Sequence, residues 1–353
     1  MISNPFGSLP ILSHPATLRR SGVTRVEVVV LAIIVILALL LLGPWVLRQR
    51  AAARRNVCQS HQYAIARAHL LRTSDTNQLV GFRNPGALRI IEAENPDAPI
   101  GWVEPIMFYI YSLRSKPDDA SRRENELAEL FELHNEQRLP AGEYYEKLQS
   151  EEPRFVPKIY ELNCSDQGKV DYRHHPDAST TVVNSGMPDV INRDFPRDWR
   201  ANGPFLDLTD GNANVLPVSL DFIEDHDGLS NTMMLTENLD AAGWLSASEA
   251  ANSVNWRDFP DGKRGESLLA INRQGGASKR GKTADPYLFA RPSSFHVGGV
   301  NVVFCDGSTR FLSQNIDYVV FALMLSCDDE NTRQAGSDKP VSDYYRREKG
   351  HGE

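Results

Sequence analysis

The sequence predicts an α+β fold: a long N-terminal helix, transmembrane then amphipathic, packed on an antiparallel sheet with long loops and a C-terminal β-meander. Three observations predict it. Val28 to Leu47 carries no charge and continues into an uninterrupted amphipathic stretch. From Phe155 onward the pattern changes to short β-like runs separated by turns. Ser293 to Leu312 then holds two tight-turn dipeptides, Gly298-Gly299 and Asp306-Gly307, between apolar runs.

The first element is a membrane helix. Val28 to Leu47 is about 20 residues, enough to cross a bilayer at 1.5 Å rise per residue. Arg48, Arg50, Arg54 and Arg55 stop it. The run is too long for the apolar region of a secretory signal, and no Ala-x-Ala cleavage site follows. Glu27 heads the run, and an acid near a span carries a cost that asks for a reason. Arginines 19, 20 and 25 precede the span and four follow it, so the positive-inside rule slightly favours an outward leader.

Residues 48–72 continue the helix. Ile65 with Ala68, and Tyr63 with Leu70, fit one apolar stripe at helical spacing. Thr73 to Pro99 reads as loop, with Asn, Gly and Pro scattered through it. Trp102 to Leu113 is apolar and aromatic and enters the core. Within Asp118 to Glu152, the positions Leu127, Leu130, Phe131 and His134 mark an amphipathic helix. Thr180 to Val183, Val215 to Phe222 and Thr232 to Thr236 read as strands. Residues 73–327 therefore form one α+β domain, and 328–353 a polar, disordered tail.

The meander can be given a register. Two-residue turns set Val297 against Val300 and His296 against Asn301, then Phe304 against Thr309 and Val302 against Phe311. Val300, Val302, Phe304 and Phe311 would share one face. His296 and Asp306 fall at different levels of the middle strand. His296 is read as a partner of Asn301 or a backbone carbonyl, and Asp306 as a turn residue, with no catalytic role for the pair.

The 353 residues carry a formal charge of −8, which argues against nucleic-acid binding. Of the four cysteines, Cys58, Cys164, Cys305 and Cys327, no two form a Cys-x-x-Cys. Either all stay reduced, or an extracytoplasmic domain pairs them in one of three ways. No phosphate loop, dinucleotide fingerprint, Gly-x-Ser-x-Gly or His-Glu-x-x-His occurs, and no cofactor is expected. Asp207, Asp210, Asn212 and Asn214 make an oxygen-rich loop that suits calcium, without EF-hand spacing. Asp225-His226-Asp227 and His174-His175 are poor metal sets: the first lies in a turn, and adjacent histidines project apart.

The order Gly22, Val23-Thr24-Arg25-Val26-Glu27, then the apolar helix with Pro44, resembles the prepilin-type cleavage and methylation signal. His296, nine residues, then Asp306-Gly307 resembles the C-terminal motif of a family of prepilin-type proteins bearing a domain of unknown function. Arg54-Arg55-Asn56-Val57-Cys58, Cys164-Ser165-Asp166 and Asp227-Gly228-Leu229-Ser230-Asn231-Thr232 with Glu237 fall in the family's order. Val23 stands where Phe is usual, Arg25 adds a charge, and the Gly-x-Phe-Pro element is absent near Gly81-Phe82.

The resemblance implies a leader, 1–22, cut after Gly22 by a prepilin peptidase that methylates Val23. It implies a single-pass helix, 23–47, in the inner (cytoplasmic) membrane with the domain outside. Glu27 would pair with the N-terminal ammonium of a neighbouring pilin-like subunit. The expected function is structural, not enzymatic: a pilin- or pseudopilin-like protein held in the membrane or assembled in a filament. The alternative is a monomeric membrane-anchored module that binds glycan or peptide, and a tethered hydrolase is a third class.

Overall fold

The computed structural model describes residues 24–88, 97–113, 159, 162–164, 179–187, 198–209, 215–241, 243–256, 271–272 and 290–332. The expected helix in 118–152 lies outside them. The chain forms two compact units, Met1–Arg50 and Ala51–Glu353.

One helix, α1 (Arg25–Thr76), contributes to both units. In the first unit its start is a capping box. The Glu27 backbone N–H donates to Thr24 Oγ1 at 3.3 Å, and the Thr24 backbone N–H donates to Glu27 Oε2 at 2.7 Å. The two bonds satisfy donors that a helix start otherwise leaves unpaired. Beyond them the apolar side chains are exposed, from Val26 at 71% to Leu47 at 66%. The helix is long and apolar enough to cross a membrane.

In the second unit α1 buries Cys58, Gln62, Ile65, Ala66, His69 and Thr73, a stripe at three- and four-residue steps. Tyr63, expected on that stripe, faces solvent under the Arg67 guanidinium. The stripe mixes apolar and polar groups, so apolar periodicity alone misplaced it. The helix also outlasts Arg72. Thr73 and Thr76 hydroxyls donate to carbonyls one turn back, and Asn77 ends it with φ 55°. Asparagine tolerates that left-handed conformation at a helix end. His69 stacks on Trp102 with ring centroids 5.4 Å apart. Burial, with the Arg72 charge adding, pulls its pKa down to about 3, so the ring is neutral.

A small ladder follows, β1 (Arg83–Asn84) antiparallel to β2 (Ile100–Gly101). Helix α2 (Met107–Leu113) comes next, and the segment around it buries Trp102, Val103, Ile106, Met107 and Ile110 as expected.

The main sheet uses β3 (Thr181–Gly186), β4 (Met233–Glu237), β5 (Ser253–Asn255), β6 (Gly299–Phe304) and β7 (Thr309–Ser313). Its order is β5-β3-β4-β6-β7. The β3–β5 pair is parallel and the others antiparallel, so the sheet is mixed where an antiparallel one was expected. Two apolar clusters cover its two faces. Val183, Leu235, Val303 and Cys305 share one with Ile65 and Ala66 of α1. Val182, Met233, Val300, Val302 and Phe304 share the other with Trp256 and with Phe321 of the C-terminal helix, Tyr318–Leu323. Double coverage explains why β3, β4 and β6 are buried at every residue rather than alternately.

Further expectations are corrected. Val215 to Phe222 is not a strand: Ser219 caps a short helix, Leu220–Asp225, by accepting the Phe222 N–H at 3.2 Å. The meander has two strands, because residues 295–298 form bends and turns before β6. The β6–β7 register is one residue off, with Val303 opposite Thr309 and Asn301 opposite Phe311. The connection is a three-residue loop in which the Gly307 N–H donates to the Phe304 carbonyl and Gly307 takes φ 81°. A one-residue slip moves Phe311 to the α1 side of the sheet. There it lies under the Arg55 guanidinium, 4.6 Å from the ring centroid. Residues 328–332, expected to open a disordered tail, are packed: Asp328 is buried, and the Thr332 hydroxyl donates to the Ala201 carbonyl at 2.8 Å; residues 333–353 lie outside the described ones.

Candidate functional site

Four side chains from four separate parts of the second unit meet inside it. Cys58 comes from α1 and Cys164 from the segment beside Thr180. Glu237 ends β4, and His296 sits in the turn before β6. Their donor atoms all lie within 4.8 Å of one another, and all four residues are buried. Cys58 and Cys164 are joined as a disulfide with Cα atoms 4.9 Å apart.

Each member is held locally. Cys164 donates its backbone N–H to Thr180 Oγ1 at 3.0 Å. His296 donates its backbone N–H to Ser294 Oγ at 3.1 Å, and that hydroxyl donates to the Gly299 carbonyl at 2.7 Å. The turn so fixed sends the imidazole inward. Asn301, on β6, grips the Glu237 carboxylate twice: its backbone N–H donates to Oε2 at 2.9 Å and its Nδ2 to Oε1 at 3.1 Å. The Asn301 carbonyl accepts from Thr236 Oγ1 at 3.0 Å and from Gln62 of α1 at 3.5 Å.

His296 Nε2 lies 3.3 Å from Glu237 Oε1 and 3.4 Å from Cys164 Sγ. A carboxylate this deep needs compensation, and the two Asn301 donors with the imidazole supply it. The expected meeting of His296 with Asn301 is thus indirect, through Glu237.

The arrangement is not an acid–base relay. In a nucleophile–histidine–carboxylate triad the outer groups sit on opposite ring nitrogens. Here the sulfur and the carboxylate both approach Nε2. In its oxidised form the cluster acts as a staple that fixes α1 to the sheet, and His61 and Arg55 flank it. His61 Nδ1 lies 3.1 Å from the Asn163 carbonyl beside Cys164.

At the far end of β6 from His296, the Asp306-Gly307 hairpin meets the Asp227–Thr232 loop. The Cys305 and Asp306 N–H groups donate to the Thr232 and Leu229 carbonyls, at 2.9 and 3.1 Å. Asp306 Oδ1 accepts the Ser308 N–H at 2.8 Å, as a turn residue does. A Cβ on Gly307 would approach Leu70 of α1 at 3.1 Å, so this glycine serves both the turn and the helix contact. Asp227 accepts from Ser326 Oγ at 2.9 Å and from the Asp329 N–H at 3.0 Å. Partial burial pushes its pKa up to about 6. His226 Nε2 lies 3.5 Å from Asp328, so Asp227 and His226 tie down the chain on either side of Cys327.

Cys305 and Cys327 are buried free thiols. Burial pushes both thiol pKa values upward, which keeps them protonated. Asp207 is taken by Arg83 Nη1 at 3.3 Å and by Thr209. Asp210, Asn212, Asn214, His174 and His175 lie outside the described residues, as do Gly22 and Val23. Glu27 lies in the first unit, in its capping box.

All four cluster residues stand in motif elements of the sequence, yet nothing in the sequence joins them. Separations of 106, 73 and 59 positions carry no local spacing signal. What pointed at them was their recurrence in motif elements.

No curated protein and no solved structure matches the chain significantly. Residues 166–318 match the model of a protein family of unknown function, DUF1559 (SBP_bac_10). Glu237, His296, Asn301, Asp227-Gly228 and Asp306-Gly307 fall inside that range, while Cys58 and Cys164 lie before it. Behind its long apolar N-terminal helix, the chain is thus similar to the DUF1559 family over residues 166–318.

Proposed function

We propose that the protein is a pilin- or pseudopilin-like structural component. A prepilin peptidase cuts after Gly22 and methylates Val23; α1 then holds the domain outside the inner membrane, or packs with other pilin-like subunits in a filament. No catalysis is assigned to the domain. The observation that carries the reading is the split character of α1. Its first half exposes an apolar surface from Val26 to Leu47, and its second half is stapled to a sheet. Such a helix suits a protein whose apolar half is covered by lipid or by neighbouring helices.

The test is mass spectrometry of the mature N-terminus. The expected result is a methylated Val23. A chain that keeps residues 1–22 overturns the reading.

One observation favours the alternative of a monomeric anchored binding module. Thr24 already engages the Glu27 carboxylate, so that charge has a partner without a neighbouring subunit. Glu27→Ala separates the two. Loss of higher-order crosslinks in membranes supports assembly through the carboxylate, and unchanged crosslinks leave the monomeric anchor.

A further inference from the structure

We propose that Cys58, Cys164, Glu237 and His296 form a zinc site when the Cys58–Cys164 bond is reduced, so that disulfide and metal are alternative states of one staple. The inference does not depend on the filament reading.

The geometry points to it in three ways. First, the donors converge. Sγ of both cysteines, one carboxylate oxygen and one imidazole nitrogen lie within 4.8 Å of one another. Tetrahedral zinc with bonds of about 2.0–2.3 Å sets its ligand atoms roughly 3.3–3.8 Å apart. The Nε2 contacts, 3.3 Å to Glu237 Oε1 and 3.4 Å to Cys164 Sγ, already have that spacing. The two sulfurs, whose Cα atoms are 4.9 Å apart, must separate, and no remaining pair of donors has to close from more than 4.8 Å.

Second, one ring nitrogen faces both the sulfur and the carboxylate. That defeats a relay but suits ligands aimed at a common point. Third, a supporting shell is present. Asn301 orients the Glu237 carboxylate through two donors, as groups behind metal ligands do. Two sulfurs, one nitrogen and one oxygen make a donor set that fits zinc better than magnesium or calcium.

A metal suits the charges once the bond opens. Deprotonated, two thiolates beside a buried carboxylate would repel one another, and a divalent cation offsets two of those three negative charges. The steps balance. A dithiol reductant gives two electrons and two protons to the disulfide, yielding two thiols and its own disulfide. Zinc then displaces both thiol protons to solvent. His296 ligates through the Nε2 lone pair, so in this state its ring proton resides on Nδ1. Affinity therefore rises with pH.

The test uses the full chain in detergent, oxidised or reduced by a phosphine, titrated anaerobically with Co²⁺ as a spectroscopic probe and then with Zn²⁺. Reduced chain is expected to take up one Co²⁺ with a thiolate-to-cobalt charge-transfer band that Zn²⁺ abolishes, while oxidised chain shows no band. His296→Ala and Glu237→Gln are expected to weaken binding by about tenfold or more. Zn²⁺ should also shield Cys58 and Cys164 of the reduced wild-type chain from alkylation, mapped by mass spectrometry; this needs no variant to fold. The proposal fails if reduced chain shows no charge-transfer band. It fails equally if the band survives Cys58→Ser with Cys164→Ser, or disappears in Cys305→Ser with Cys327→Ser.

Discussion

The two halves of α1 are held by opposite means. In residues 25–50 the backbone is fixed at one end by the Thr24–Glu27 box, and its side chains touch almost nothing in the chain. In residues 51–76 the side chains do the holding, through a disulfide, a gripped carboxylate and a buried stripe. The first half has the side chains that hydrocarbon would cover; the second half has the mixed apolar and polar stripe of a core helix. The difference teaches that one continuous helix can serve two solvents when only its sequence changes.

The largest break in that contrast should come from removing the staple. Cys58→Ala with Cys164→Ala frees a 106-residue separation. Loop entropy puts the expected loss at about 4.8 kcal/mol, read as a lower denaturant midpoint for the domain. An unchanged midpoint would show that the disulfide adds nothing to the packed stripe.

Next comes packing. Ile65→Ala, at a residue with no exposed surface, is expected to cost the domain about 3 kcal/mol. Leu37→Ala, at a residue 53% exposed, should leave the domain midpoint within about 0.5 kcal/mol of wild type. Equal effects would dissolve the distinction between the halves.

The smallest effect is on pH dependence and sharpens the comparison. His69, in the docked half, has its folded pKa lowered from 6.5 to about 3. Between those values the unfolded chain binds the extra proton and the folded chain does not. Stability is therefore full above about pH 6.5 and declines as the pH falls toward 3, by on the order of 1 kcal/mol per pH unit. His69→Leu should flatten that part of a urea-midpoint profile, and a profile unchanged by the substitution would remove His69 as its source.

Much of the fold was legible in local pattern. The apolar span, its helical continuation and the strand at Met233 to Glu237 are set by residues near one another in sequence. The hairpin register was not, because Asp306-Gly307 fits a two-residue turn and also a three-residue loop with glycine in the left-handed position. Ser219 gave a capping signal that the β-branched and apolar run from Val215 masked. The cysteine pairing was illegible for a different reason. Cys164 reaches Cys58 only because Thr180 and the sheet carry it there, and Cys305 points into the same core without reaching it. Glu237 and His296 were visible as motif members, yet their contact depends on the turn that Ser294 fixes.

The strand order carries a consequence for how the domain is made. Strand β6 lies between β4 and β7, and β4 lies between β3 and β6, so the middle of the sheet is assembled from residues far apart in the chain. The surface that covers the α1 stripe, Val303 and Cys305 with Val183 and Leu235, is not complete until residue 305 has emerged. Such non-local pairing is slow to form. Until it forms, Cys58 waits with three possible partners, and two of them become unreactive only by being buried. Fidelity of oxidation is therefore a race between sheet closure and thiol chemistry, with the last hairpin as its finishing line.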